Sequence, residues 1–379
     1  MSRPIQAVVH LDALRHNLQI ARQYAGDSQV YAVVKANAYG HGIERVYPAF
    51  QSADGFALLD LAEALRLRQL GWKGDILLLE GIFCLEDLFV CQQHCLSFSI
   101  HSAHQIDWLQ QFQRQHPEAR FHVYLKMNSG MNRLGFAPAT YRDTFAQLQA
   151  LEIIASITHM MHFSDADGER FGAPGINYQQ QCFEQTIAGL PGKRSLCNSA
   201  ALLRHAPALH SDVMRSGIML YGSSPDFPQH TIQDWNLKPS MSLRSEIIAV
   251  QQLKAGESIG YGSSFVAEQA MRIGVVACGY ADGYQRISPS GTPVLVNSQR
   301  SQTLGRVSMD MLAVDLSHLP DADIGAEVVL WGYSSSGAIL PVDEVSQAAG
   351  TVGYELMCAI TARCRLWCRH KILFNRITT

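Results

Sequence analysis

The 379-residue sequence is poor in several things that would assign it to a class. It has no CxxC pair among nine cysteines, no basic tract, no low-complexity segment and no apolar run near the roughly 18 residues a membrane span needs. The odd set of cysteines, without paired spacing, fits reduced thiols rather than a disulfide framework. Cys91 and Cys95 around His94, and Cys364 and Cys368 ahead of His370, lack the close pairs of a zinc framework. His159 and His162 stand three apart on an apparent strand, IIASITHMMHF, which turns their rings to opposite faces and disfavours a shared metal. No metal site is therefore expected. With a net charge of −3 and no phosphate footprint, the chain reads as no nucleic-acid binder. Its first residues, MSRPIQAVVHLDALRHNL, turn polar where a signal peptide would be apolar, so the cytoplasm is the expected location.

What is present is a large core, 47% of residues being hydrophobic, in a chain long enough for a barrel and a second domain. The central stretch is VYAVVKANAYGHG, Val30 to Gly42. Its β-branched and small apolar residues read as a buried strand that stops at Lys35. A lone lysine at a strand end is ordinarily a solvated loop residue. Here small residues crowd it and Tyr39 follows four positions later, which suits a tight pocket for a planar group.

From residue 30 to about 222 a short apolar strand, a polar turn and a helical segment recur. The strands read as 30–34, 55–59, 75–79, 96–100, 121–126, 153–161, 195–197 and 212–215. Asp60 with Glu63 and Ser102 with Gln105 read as capping boxes, and Pro138 as a first helical residue. Eight such units predict a (β/α)8 TIM barrel over residues 1–236. Beyond, LRSEIIAVQQL, MRIGVVACGY, TPVLVNS, LGRVSMDMLAVDL and AEVVLWGY are strand-like and separated by turn residues. They predict a mostly antiparallel β domain over 237–379, with DFPQHTIQDWNLKPS as the linker. Asp343 reads as the cap of a short helix ending near Gly350, and the residues after Tyr354 as a helical turn and a final strand.

Catalytic groups in such barrels stand at the carboxyl ends of the strands. Lys35 follows the first strand; Lys126 ends the fifth, and Arg133 lies in the loop after it. His162 follows the sixth, Asn198 and Ser199 the seventh, and Arg215, Gly217 and Ile218 end or follow the eighth. A solitary Ser or Asn there usually caps a helix. Together the set offers a reactive amine, two guanidiniums, an imidazole and a turn of the kind that binds phosphate. A lysine able to form a Schiff base beside a phosphate cradle calls for a phosphorylated carbonyl compound, either a sugar phosphate or pyridoxal 5′-phosphate.

Residue matching separates these two. AVVKANAYGHG at 32–42, SGMNRLG at 129–135, MHFSDAD at 161–167, NSAA at 198–201, RSGIMLYG at 215–222, IGYGSSF at 259–265, GYADGY at 279–284, GRVSMDM at 305–311 and YELMC at 354–358 resemble the alanine racemases along nearly the whole chain. The chain departs from them at Asn128, Cys197 and Ser216, where the family often has Asp, Ala and Pro.

The resemblance implies the pyridoxal-phosphate fold of type III, a homodimer and the interconversion of L- and D-alanine. It implies that Lys35 holds the cofactor covalently and serves as one acid/base group, and that Tyr261, reaching in from the partner subunit, is the other. It implies that Tyr39, Ser199, the backbone of Gly217 and Ile218, and Tyr354 hold the phosphate. Arg215 would face the pyridine nitrogen with His162 beside it; Arg133 and Met309 would lie near the substrate carboxylate; Lys126 matches a position that is carbamylated in some members.

These roles make chemical sense. Racemisation takes a proton from one face of the α-carbon and returns one on the other, so two bases are needed. A free phenol loses its proton near pH 10, and a tyrosine base working near neutrality needs about 4 kcal/mol of differential stabilisation, which Arg215, Arg133 and a His162 relay could supply. Rival readings are a broader-specificity racemase, a pyridoxal-phosphate carrier without turnover, a fold-related decarboxylase and a Schiff-base aldolase. The carrier and the aldolase leave the second domain unexplained. The decarboxylase lacks the IGYGSSF and GRVSMDM matches.

Overall fold

A computed structural model describes residues 3–369 of the chain. It divides into two compact units, one of residues 17–38 and 42–220, the other of the residues up to His16, Tyr39–His41 and the chain from Tyr221 onward.

The first unit is the barrel. Its strands are Gln29–Val33, Gly55–Leu58, Asp75–Leu78, Ser97–Ile100, Phe121–Lys126, Ile154–Met160, Arg194–Ser195 and Val213–Ser216. They pair in parallel in chain order, and the last lies beside the first. Hydrogen bonds from Asp212 N to Arg194 O (2.8 Å) and Arg215 N to Cys197 O (2.9 Å) link the seventh and eighth members and close the ring. All eight expected strands are present, within two residues at every end. Val34 and Leu79, expected as strand ends, still donate to the neighbouring strand while their backbones turn into loops.

The helix signals hold in part. Asp60 caps the helix Leu61–Gln69 by accepting from Ala62 N (2.6 Å), and Pro138 opens Pro138–Gln149. Neither expected reciprocal box forms. The Glu63 carboxylate accepts instead from Asn37 N, and the Gln105 side chain accepts from His101 N.

The second unit is a nine-stranded sheet built around the long strand Met241–Leu253, which pairs antiparallel with Gln6–His10, Met271–Val276 and Glu327–Tyr333. The opening strand thus pairs in this sheet and not in the barrel. Gln6–His10 is buried between Met241–Leu253 and the parallel strand Arg365–Arg369. LGRVSMDMLAVDL is not one strand: it breaks into Gln299–Leu304 and Leu312–Asp315 with GRVSMDM as the loop between.

The segment expected to link the domains is a tied turn. Asp226 Oδ1 accepts from Ser224 Oγ (3.0 Å) and Trp235 Nε1 (2.8 Å), and Oδ2 faces His230 Nδ1 (2.6 Å). Asp343 does not cap its helix, Val342–Ala348. Its buried carboxylate accepts from the Ser223 hydroxyl and from Ser224 N (3.2 Å), and burial pushes its pKa up to about 6. The final expected strand is Arg365–Arg369; His370 lies outside the described residues. No helix among the described residues is long and apolar enough to cross a membrane.

Candidate active site

Lys35 stands two residues beyond the strand Gln29–Val33, half-buried. The chain then does something the sequence does not announce. Ala36, Asn37, Ala38 and Tyr39 all take left-handed dihedrals, with φ between 50° and 54°. Left-handed geometry costs an L-residue roughly 1–2 kcal/mol, so a run of four persists only where its surroundings fix it. Asn37 supplies much of the fixing. Its N–H donates to Glu63 Oε1 (2.5 Å), and its side-chain oxygen accepts from Ile43 N (3.2 Å) and Arg66 (2.9 Å). The turn follows directly on Lys35, whose charge acts on His162 and Lys126.

Arg215 is the penultimate residue of the eighth strand, at 4% exposure. Its terminal nitrogens donate to Ser195 O (2.7 Å), Ser195 Oγ (2.5 Å), Met161 O (2.7 Å) and Leu196 O (3.2 Å), with His162 Nδ1 at 3.5 Å. No carboxylate touches it among the described residues, and burial pulls its pKa down to about 10. Its Nε–H has no hydrogen-bond partner among the described residues. Burial first, then Arg215, Arg133, Lys126 and Lys35, push the His162 imidazole well below its ordinary range. It is therefore neutral, an acceptor toward Arg215.

Lys126 ends its strand at 6% exposure. Burial and the neighbouring Arg215 and Arg133 bring its pKa down to about 8. Arg133 is exposed, in a loop shaped by Asn128, whose side-chain oxygen accepts from Gly130 N (3.3 Å) and Asn132 N (2.9 Å). The neutral amide keeps the turn without a carboxylate. Of the other two departures, Cys197 is buried and Ser216 is buried with its hydroxyl unpartnered.

Asn198 caps the helix Ser199–His205 by accepting from Ala201 N (2.9 Å), which is the ordinary fate of a strand-end Asn. Ser199 does something else: its hydroxyl accepts from Gly217 N (2.9 Å) and Met219 N (3.4 Å), joining the turns after the seventh and eighth strands. Ile218 opens the short helical turn Ile218–Tyr221. Lys35, Lys126, Arg133, His162 and Arg215 thus share one electrostatic neighbourhood, and Ser199 and Gly217 form a second cluster.

The other expected residues belong to the second unit. Tyr39 is buried, with ring centroids 5.7 Å from Tyr354 and 4.6 Å from Tyr221. A Cβ at Gly40 would come within 2.1 Å of Met357 O, so only glycine lets this segment lie against the helix carrying Tyr354. Tyr261 sits on an exposed turn between Gly260 and Gly262, both at positive φ, and is itself 74% exposed. The loop carrying Met309 is docked backbone to backbone, through Tyr280 N to Ser308 O and Ala281 N to Met309 O, both 3.0 Å. Met309 and Met311 are exposed.

Sequence reasoning missed Ser195, the main acceptor of Arg215, and the phenols of Tyr31 and Tyr124 lower in the barrel. Their signal was the inward parity of their strands, which becomes readable once Lys126 and Arg215 set the phase.

Comparison with known proteins bears on the family of the chain. Residues 9–225 match the family described as "Alanine racemase, N-terminal domain", and residues 240–367 match "Alanine racemase, C-terminal domain". The chain is 64% identical over 364 residues to a protein named alanine racemase of Acinetobacter baumannii (strain SDF), covering 96% of this chain and 98% of the other. It is 57% identical over 369 residues to one of Leptothrix cholodnii, covering 96% and 97%. Among solved structures it is similar to the biosynthetic alanine racemase of Pseudomonas aeruginosa, with a TM-score of 0.90, 44% identity and coverage of 97% and 100%. It is likewise similar to the alanine racemase of D-cycloserine-producing Streptomyces lavendulae, with a TM-score of 0.85, 29% identity and coverage of 98% of each chain.

Proposed function

The chain belongs to the alanine racemase family, and from that premise we propose that it interconverts L- and D-alanine by two-base proton transfer, with pyridoxal 5′-phosphate as cofactor and a homodimer as the working unit. The observation that carries the cofactor is Arg215. Five hydrogen bonds hold its terminal nitrogens, which leaves the Nε–H as a fixed donor for an unprotonated ring nitrogen. Lys35 would hold the carbonyl carbon. The Ser199 hydroxyl and the amides of Gly217 and Ile218 would take the phosphate, with Tyr39 and Tyr354 as further donors.

When bound, the cofactor supplies the electron sink for the carbanion. The chain's own groups do the rest. Lys35 Nζ moves the proton on one face of the α-carbon, and the Tyr261 hydroxyl of the partner subunit moves it on the other. Arg133 and the Met309 loop bind and orient the carboxylate. Neutral His162, accepting from Arg215, would pass that positive field toward the phenol. Lys126, with a pKa brought down to about 8, presents enough neutral amine near neutrality to react with carbon dioxide, which supports its carbamylation. The product would be an anion beside Arg133 and Arg215.

The dimer is supported by the exposure of Tyr261, Met309 and Met311 on one unit. The odd set of nine cysteines, without paired spacing, supports a reducing, cytoplasmic setting. The similarity to a biosynthetic enzyme favours supply of D-alanine for peptidoglycan over breakdown of one enantiomer.

The deciding experiment follows L-alanine with the holoenzyme in deuterium oxide by NMR, then separates the enantiomers. Loss of the α-hydrogen with accumulation of D-alanine is the expected result. Exchange with retained chirality would remove Tyr261 from its role, and no exchange would refute the racemase reading.

A further inference from the structure

A packed barrel is filled by layers of bulky branched side chains. The lower end of this one is not. At the amino ends of the strands the inward positions include Gly55, Ser97, Ser156 and Thr158, all small. Gly55 gives way to the Tyr31 ring, which a Cβ there would meet at 2.7 Å. The other three line a cavity of about 750 Å³ together with Tyr31, Asp75, His122, Tyr124 and Lys193. It lies at the end of the barrel opposite Lys35.

The polar groups of this cavity are held in place. The Tyr31 hydroxyl donates to Asp75 Oδ2 (2.6 Å), Lys193 Nζ donates to Gln29 Oε1 (3.1 Å), and His122 Nδ1 lies 2.7 Å from Ser156 Oγ. The carboxylate and the ammonium thus each have a neutral partner, and neither forms an ion pair among the described residues. They are rooted on opposite sides of the ring. Asp75 opens the third strand and Lys193 directly precedes the seventh, four strands apart either way round the eight. The root of Lys193 is fixed too: its carbonyl accepts from His159 N (2.7 Å), and a Cβ at Gly192 would come within 2.5 Å of Ile157 O, so glycine lets the segment lie against that strand.

On the arc between the two charges stand Ser97, on the fourth strand, and Thr158, on the sixth. Both are buried, at 8% and 6% exposure, and both line the cavity, yet neither hydroxyl makes a hydrogen bond among the described residues. A buried hydroxyl left unpaired is costly, so these two call for a partner inside the cavity.

The lining selects that partner by charge. A simple anion or cation would be attracted to one wall and repelled by the other, whereas a zwitterion satisfies both, its ammonium at Asp75 and its carboxylate at Lys193. A free α-amino acid carries both charges on one carbon and leaves most of the volume empty. A dipeptide separates them by an amide, whose N–H and C=O match the unpaired hydroxyls.

We propose that the amino end of the barrel is a second binding site, for a zwitterion of dipeptide size, with Asp75 and Lys193 as its charged poles and Ser97 and Thr158 as its neutral contacts. The site shares no residue with the one around Lys35 and does not rest on the racemase reading.

Glycylglycine is the probe, because it has no stereocentre on which the proposed reaction could act. The His122 imidazole lines the cavity and reports binding through its carbon–proton NMR signals in the full-length protein, identified by their absence from His122→Gln. Millimolar glycylglycine at fixed pH is expected to move these signals saturably. Glycine, N-acetylglycylglycine, which lacks the ammonium, and glycylglycinamide, which lacks the carboxylate, should each bind at least about fivefold more weakly. Asp75→Asn, which keeps an acceptor for Tyr31, and Lys193→Gln should each weaken the dipeptide by about fivefold or more. Unmoved signals, a response to glycine equal to that of the dipeptide, or undiminished binding in Lys193→Gln overturns the proposal. If Asp75→Asn fails to fold, the exposed Lys193 decides alone. Alanine turnover, measured separately, has no bearing on these outcomes: a protein that binds glycylglycine here and never racemises alanine would refute the racemase and leave this site standing.

Discussion

The two proposed proton carriers sit in opposite kinds of surroundings. Lys35 is half-buried at the end of a barrel strand, followed directly by a strained left-handed turn and placed among Lys126, Arg133, His162 and Arg215. Tyr261 is 74% exposed on a turn flanked by two positive-φ glycines, in a unit whose nearby methionines are also exposed. On the proposed reading, one base is finished by its own fold and the other awaits a second copy of the chain, so that activity would depend on association while covalent attachment of the cofactor would not.

The largest expected effect breaks the buried side. Lys35→Ala should remove covalent cofactor attachment and lower kcat by about 10⁴-fold or more in both directions, followed by absorbance and by chiral assay. Next is the exposed side. Tyr261→Phe should nearly abolish racemisation, by about 10³-fold, while the cofactor spectrum stays that of the parent. Equal loss of cofactor from this variant would sink the division of labour between the two regions.

Two smaller changes sharpen the contrast. Lys126 has a pKa of about 8 in the folded state, below the 10.4 or so of an unfolded lysine, so the unfolded chain holds more protons between those values. Stability should therefore rise with pH from about 8 to about 10, by roughly 2–3 kcal/mol, in carbon dioxide-free buffer. Lys126→Met should flatten the rise, seen in urea titrations across that range; a wild-type curve already flat would contradict the burial argument. The mildest change is Ala38→Gly, at φ 54°. Relief of left-handed strain should leave stability within about 1 kcal/mol of the parent or raise it, while kcat falls because Lys35 is less firmly aimed. Unfolding midpoints and turnover on one preparation check both.

Much of the barrel was legible because buried parallel strands are written as short apolar runs with punctuation between them. Gln6–His10 was not, since a five-residue run carries no sign of which sheet will receive it; only its pairing with Met241–Leu253 and Arg365–Arg369 decides. GRVSMDM looked like strand because its apolar residues alternate, but its backbone turns on itself, Ser308 N donating to Met311 O, and bonds to Tyr280 N and Ala281 N instead of to a strand. Asp343 looked like a cap because caps are a local pattern, whereas its partners are about 120 residues away.

The sequence by itself determined the order of the barrel units, the strand-end position of Lys35, Lys126 and Arg215, and, through nine ordered motifs, the family. Tertiary structure alone decided the left-handed turn behind Lys35, the neutral state of His162, the depressed Lys126 and the hydrogen bond from Tyr31 to Asp75. The physical reason is that the former depend on residue type and spacing along the chain. The latter depend on burial and on which charges and acceptors meet across strands far apart in sequence.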